Sequence, residues 1–136
     1  MIVLDTSAFL KFLLREPGWA VLIPTMTGDE QIIATPMLTL EAHNVFWLSV
    51  HRGLIPKDHA FKLAYTLKTF LSEGVIMIEN LEPYLNIGLE IAIRQSHSFY
   101  DSLGIAQAQV LNASMITADV RQAEIARAEH VTCTII

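Results

Sequence analysis

Apolar and polar positions along this chain follow two alternating rhythms. Five short runs, Ile2-Val3-Leu4, Gln31–Thr35, Val75–Ile78, Ser114–Thr117 and Val131–Ile136, have the length and bulk of strands. Ile2-Val3-Leu4 has no polar position at all, which fits a strand covered on both faces, as in a parallel sheet. Between these runs the apolar residues recur at helical spacing. Ser7 is placed to cap a helix reaching about Arg15, with Phe9, Leu10, Leu13 and Leu14 on its apolar side and Glu16-Pro17-Gly18 as its stop. A short helix over about Trp19–Met26 follows, and Gly28-Asp29-Glu30 turns the chain. Thr35-Pro36 predicts the start of a longer helix, a hydroxyl cap followed by proline at the first helical position, and the helix runs to His51. Pro56 opens another, with Ala60, Ala64, Leu67 and Leu71 on one face and Gly74 at its end. Asn80 is positioned to cap a helix through about Gln95, Ser98–Leu111 forms the next, and Val120–Glu129 the last. From Leu103 onward the Ser98–Leu111 helix is almost wholly apolar, which predicts a central place for it. Strand and helix alternate without repeat or linker. That pattern predicts an α/β fold, a single domain over residues 1–136 with a mainly parallel sheet.

Composition narrows the function classes. A chain of 136 residues that is 52% hydrophobic can bury a full core, which excludes a disordered tail. No apolar run reaches the roughly 18 residues of a membrane span, and Met1 leads straight into strand-like residues without a cationic segment. Cys133 is the one cysteine, so intramolecular disulfides and cysteine-rich zinc sites are out, and a reducing, cytoplasmic setting is expected. The formal charge of −5 argues against a broad basic footprint for nucleic acid. Any nucleic-acid chemistry must then draw on local cations.

Four acids stand where such cations could be held. Asp5 follows the first strand, Glu41 lies in the second turn of the helix after the second strand, Asp101 lies near the start of the central helix, and Asp119 follows the fourth strand. In open α/β sheets the ligand crevice lies at the carboxyl ends of the strands, and all four can face that edge. Two like charges about 4 Å apart repel by roughly 4 kcal/mol at an effective dielectric near 20. Four carboxylates therefore converge only if some are protonated or a cation binds. An all-oxygen donor set favours Mg²⁺ or Mn²⁺, and such a site suits in-line cleavage of a phosphodiester. Plainer readings exist for each acid alone. Asp101 and Asp119 are also good helix caps, with Gln122 at the capping-box position for Asp119. Glu41 alone is an ordinary exposed helix residue. Thr6, Ser7, Ser102 and Thr117 read first as turn and cap residues, and the five scattered histidines as surface or packing residues.

The motifs around these acids resemble those of PIN-domain nucleases. Met1-Ile2-Val3-Leu4-Asp5-Thr6-Ser7-Ala8 is similar to the opening of that family, Leu38-Thr39-Leu40-Glu41 to its second acidic motif, Ser98-Phe99-Tyr100-Asp101-Ser102-Leu103 to its third, and Ile116-Thr117-Ala118-Asp119 to its fourth. The order is right and the likeness spans the chain, most closely in the compact form of VapC-like toxins of toxin–antitoxin pairs. The resemblance implies a five-stranded parallel sheet, a metal-dependent endoribonuclease using Mg²⁺ or Mn²⁺, and an acidic site of Asp5, Glu41, Asp101 and Asp119. It also implies an RNA substrate and an antitoxin protein as partners. Two departures are visible: Glu129-His130 where such sequences often have glycine, and the acidic loop Gly28-Asp29-Glu30.

Other classes fit less well. A phosphoacceptor receiver domain calls for adjacent acids after the first strand and a late lysine, and Asp5-Thr6 and Ile135-Ile136 offer neither. A haloacid-type phosphatase calls for Asp-x-Asp, which Ser7 breaks. A non-catalytic PIN-like module that binds RNA or protein is the remaining alternative. A mean hydropathy of +0.41 and the run of Phe46, Trp47 and Val50 predict a homodimer that hides apolar surface. An antitoxin segment is expected along an apolar groove near the first helices, touching Leu14 and Trp19 and sending a cation to the acids.

Overall fold

Ile2–Leu4 forms strand β1, buried on both faces, at the centre of the computed structural model, which describes residues 1–136. Ile32–Ala34 (β2) pairs with it on one side and Ser114–Thr117 (β4) on the other. Ile76–Ile78 (β3) and Cys133–Ile135 (β5) complete a five-stranded sheet in the order β3-β2-β1-β4-β5, with every pairing parallel. Chain order reverses between β1 and β4. The topological switch point therefore lies at the carboxyl end of β1, where Asp5 stands.

Side-chain alternation along β1 divides the core. Ile2 and Leu4 face a cluster with Phe9 and Ala8 of helix α1 (Thr6–Leu13), with Leu38, Ala42 and Phe46 of α3 (Met37–His51), and with Leu63 and Leu67 of α4 (Lys57–Ser72). Leu22 and Met26, the latter from the short helix α2 (Ile23–Thr27), close one end of that cluster. Val3 faces the opposite layer, where Ile91 of α5 (Leu85–Gln95), Ile105 and Ala106 of α6 (Phe99–Val110), and Ile125 of α7 (Val120–Ala128) meet. Helix α6 buries seven consecutive residues, Ser102–Ala108, as its apolar run predicts. It packs closely on α5: a Cβ on Gly88 would lie 3.0 Å from Leu103 Cδ2, so a side chain there would require Leu103 to give way by a few tenths of an ångström. No helix is long and apolar enough to cross a membrane.

Local details differ from the sequence reading for physical reasons. Asp5, two residues before Ser7, caps α1, its side chain accepting from the Ser7 amide. Thr35 supplies no side-chain cap to α3; its main-chain oxygen accepts from Leu38. The Asn80 side chain accepts from the Glu82 amide and starts a single 3₁₀ turn, Glu82–Tyr84, before α5 begins. Phe46 and Trp47, alike in sequence as core or interface residues, part company: Phe46 is buried, while Trp47 beside it is 60% exposed. Neighbouring helix positions point about 100° apart, and an apolar run does not say which one meets the core. His130 has φ 63°, the left-handed conformation that glycine favours, which accounts for the glycine expected at this point of the chain.

Candidate metal-dependent nuclease site

Each acid is carried to the switch point by the element before it. Asp5 ends β1, Asp119 follows β4, Asp101 is in the first turn of α6, and Glu41 is in the second turn of α3. Asp5, Glu41 and Asp101 line one narrow cavity of about 10 Å³, together with Thr6, Tyr100 and Gln122. That is about the room of one water molecule. Asp119 does not line it. Its Oδ1 accepts from the Gln122 amide at 2.9 Å and so caps α7. Its charge nonetheless reaches the cavity, since it helps raise the pKa of Asp101.

Electrostatics mark these acids as one group. Burial is the main cause that lifts the Glu41 carboxyl above its usual range; hydrogen bonding with Thr6 opposes it, and the charges of Asp5 and Asp101 add to it. Burial also lifts Asp101, opposed by His97 and reinforced by Asp5 and Asp119. The sign follows: an acid whose pKa is raised by folding supports the fold below its ordinary pKa and weakens it as pH rises through the shifted value. At neutral pH the site therefore carries a charge excess that a cation would relieve.

Asp5 is the most constrained of the four. Its Oδ2 accepts from the Ser7 amide at 3.0 Å, from the Ser7 hydroxyl, and lies 3.0 Å from Thr117 Oγ1. Its Oδ1 faces Gln122 Nε2 at 3.2 Å. Ser7 Oγ in turn accepts from the Ala118 amide, and Thr117 Oγ1 from the Asp119 amide, which fixes the loop after β4. The loop after β4 is joined to the acid by these two hydroxyls.

The deciding comparison is with protein families: a model described as the PIN domain matches residues 2–128. The chain belongs to the PIN domain family. Solved structures agree in fold. PAE2754 from Pyrobaculum aerophilum is 16% identical with a TM-score of 0.70, over 91% of this chain and 83% of that one. FitAB bound to an IR36 DNA fragment is 18% identical with a TM-score of 0.72, over 99% and 94%. FitAcB from Neisseria gonorrhoeae is 18% identical with a TM-score of 0.55, over 98% and 96%. At these identities the likeness is one of fold. A search of curated proteins gives no match.

In this PIN domain the all-oxygen donors suit a hard divalent cation, and their mutual repulsion leaves a negative field for it. No three carboxylates or imidazoles stand in a closed ligand set. Sequence reasoning gave too little weight to Ser7 and Thr117, whose hydroxyls hold Asp5 rather than merely shaping turns. It also set His97 aside. The His97 ring is largely buried, its Nε2 has no hydrogen-bond partner, and it lies 3.8 Å from Asp101 Oδ2. His97 precedes Asp101 by four residues, and the two stand side by side although His97 lies just before α6, where helical spacing is no guide. His43 behaves as expected, its Nδ1 turned to the Thr39 oxygen on an exposed face.

Proposed function

We propose that this PIN domain is a metal-dependent endoribonuclease and the toxin of a toxin–antitoxin pair. The observation that carries the proposal is the meeting of Asp5, Glu41 and Asp101 in one cavity at the switch point, within the field of Asp119. Asp5, Asp101 and Asp119 would hold one or two Mg²⁺ or Mn²⁺ ions. When bound, such ions activate water and stabilise the charge of the leaving oxygen. Glu41, with its raised pKa, is a further ligand or the group that orients water and accepts its proton. Ser7 and Thr117 keep Asp5 fixed while this happens.

The test is a cleavage assay of purified protein on a mixed RNA pool. Cleavage is expected with Mg²⁺ or Mn²⁺ and none after chelation. Millimolar metal should also raise the melting temperature, because a ligand that binds only the folded state stabilises it. Asp101→Asn should remove most of that increment. Metal-dependent stabilisation without cleavage of any RNA would leave a binding module in place of a nuclease.

Two assembly proposals accompany this reading. A homodimer would cover the apolar face of α3 and α4, where Trp47, Phe61 and Val50 border a cavity of about 260 Å³. Light scattering at micromolar concentration should give twice the chain mass, and a monomer would refute it. An antitoxin segment fits a second, larger groove of about 860 Å³ lined by Leu14, Trp19, Val45, Ser49 and Phe70. Glu41, Val45 and Ser49 are spaced four apart on α3, so this groove leads toward the acids. FitAB, which shares the fold, is bound to a DNA fragment. An arginine or lysine arriving along the groove would pair with the carboxylates. Titration with the product of the adjacent small gene should show weaker binding to Asp101→Asn, and weaker inhibition at high salt. Equal affinity for both proteins would place the partner's block elsewhere.

A further inference from the structure

Gln122 belongs to no acidic motif, and its place after Asp119 predicts only a capping-box partner. Its side chain does something else. It is 2% exposed, and all of its amide is engaged. Nε2 donates to Asp5 Oδ1 and to the main-chain oxygen of Asp101, each at 3.2 Å, while Oε1 lies 2.6 Å from Thr117 Oγ1. Two acceptors on one side and a hydroxyl on the other leave one orientation of the amide. Thr117 has one proton and three acceptors within reach, Asp5 Oδ2, Ser7 Oγ and Gln122 Oε1. Asp5 Oδ2 already receives the amide and hydroxyl of Ser7, whereas Gln122 Oε1 is buried against Thr117. Thr117 Oγ1 thus stands between the Gln122 amide and Asp5 and links the two.

We propose that Gln122 is a positioning residue of the acidic site, setting the orientation of Asp5 and the distance from Asp5 to the first turn of α6, which carries Asp101. Its hydrogen bonds join the end of β1, the end of β4 and the start of α6 through one side chain. Asp5 and Asp101 repel each other, so a rigid tie between them has work to do. The inference rests on the nuclease reading above. It adds that the acids depend on an amide anchored in α7, in the wall of the cavity.

Two variants and one spectrum test it on the full chain. Gln122→Met keeps length and volume but removes both donors and the acceptor. Gln122→Glu keeps the shape and sets an oxygen against Asp5 Oδ1 and the Asp101 carbonyl. Residues that orient ligands from behind typically cost 10–100-fold when changed, so kcat should fall by about that factor with KM within about twofold, Glu falling further than Met. Mn²⁺ affinity by calorimetry should fall by a comparable factor, about tenfold or more. In wild-type protein the side-chain amide resonances of Gln122 should shift as Mg²⁺ is added. A Met variant that melts like wild type and keeps its kcat and Mn²⁺ affinity overturns the proposal. Should both variants fail to fold, the wild-type spectrum decides: resonances that stay fixed while Mg²⁺ binds overturn it, and resonances that move support it. A wild type that takes up Mn²⁺ yet cuts no RNA removes the nuclease reading, and calorimetry on the Met variant then judges Gln122 alone.

Discussion

Asp5→Asn should lower the rate of RNA cleavage by more than about a thousandfold, the scale seen when a charged member of a catalytic group is neutralised. Shape is kept and charge is lost, so the effect falls on metal holding and not on the core. The cap of α1 should survive the change. Asn caps a helix about as well as Asp, and the Ser7 amide keeps its acceptor. One conflict remains. Asp5 receives donors on both oxygens, from Ser7 on one and Gln122 on the other, and an asparagine must turn its NH₂ toward one of them. A buried donor left without an acceptor costs about 1–3 kcal/mol, so a fall of several degrees in melting temperature is expected. Cleavage, Mn²⁺ calorimetry and thermal melting of the same preparation separate the two effects. Wild-type cleavage by Asp5→Asn would remove this acid from the site.

What the sequence could show is set by range along the chain. The β1 strand was legible because a doubly covered strand needs an unbroken apolar run, and Ile2-Val3-Leu4 is one. The shared placement of the four acids was legible because Asp5 and Asp119 follow strands, Asp101 and Glu41 lie in the first and second turns of helices, and a parallel sheet brings such ends to one edge. Asp5 and Ser7 compete for one cap, and composition does not decide between them; the chain turns so that Asp5 takes the Ser7 amide. Gln122 was misread for a clearer reason. Its partners at 5 and 101 are brought to it only by β1 and α6, so no local spacing predicts them. The amide that Gln122 would have met in a capping box, that of Asp119, is taken by Thr117. His97 was set aside as one of several scattered histidines, and only the packing at the α5–α6 junction puts it beside Asp101.

The same limit governs Glu129, where a carboxylate stands near the last turn of the chain. Glu129 is 6% exposed and its carboxylate gathers four donor contacts: Arg94 in a two-pronged pair at 3.0 and 2.7 Å, Gln95 Nε2 at 2.6 Å and Gln109 Nε2 at 3.4 Å. Gln109 Nε2 donates to the Glu129 main-chain oxygen at 2.7 Å. One residue after α7 thereby ties α5 and α6 to the approach to β5. Arg94 itself is largely exposed, and an exposed pair contributes little. The acid is buried, so its loss matters more than the loss of a surface charge. Glu129→Ala should lower the melting temperature by about 5–10 °C, whereas Glu129→Gln, which keeps an acceptor for Gln95, should lose about half as much. Chiefly the hydrogen bonds from Arg94 hold the Glu129 carboxyl below its usual range. A lowered carboxyl pKa supports the fold above the ordinary carboxylate value, and that support is lost as pH falls through the lowered one. The gap between wild type and Glu129→Ala should therefore be full at neutral pH and narrow in acid, read as melting temperature against pH. A gap that stays constant into acid would mean that Glu129 acts through its packing and not through its charge.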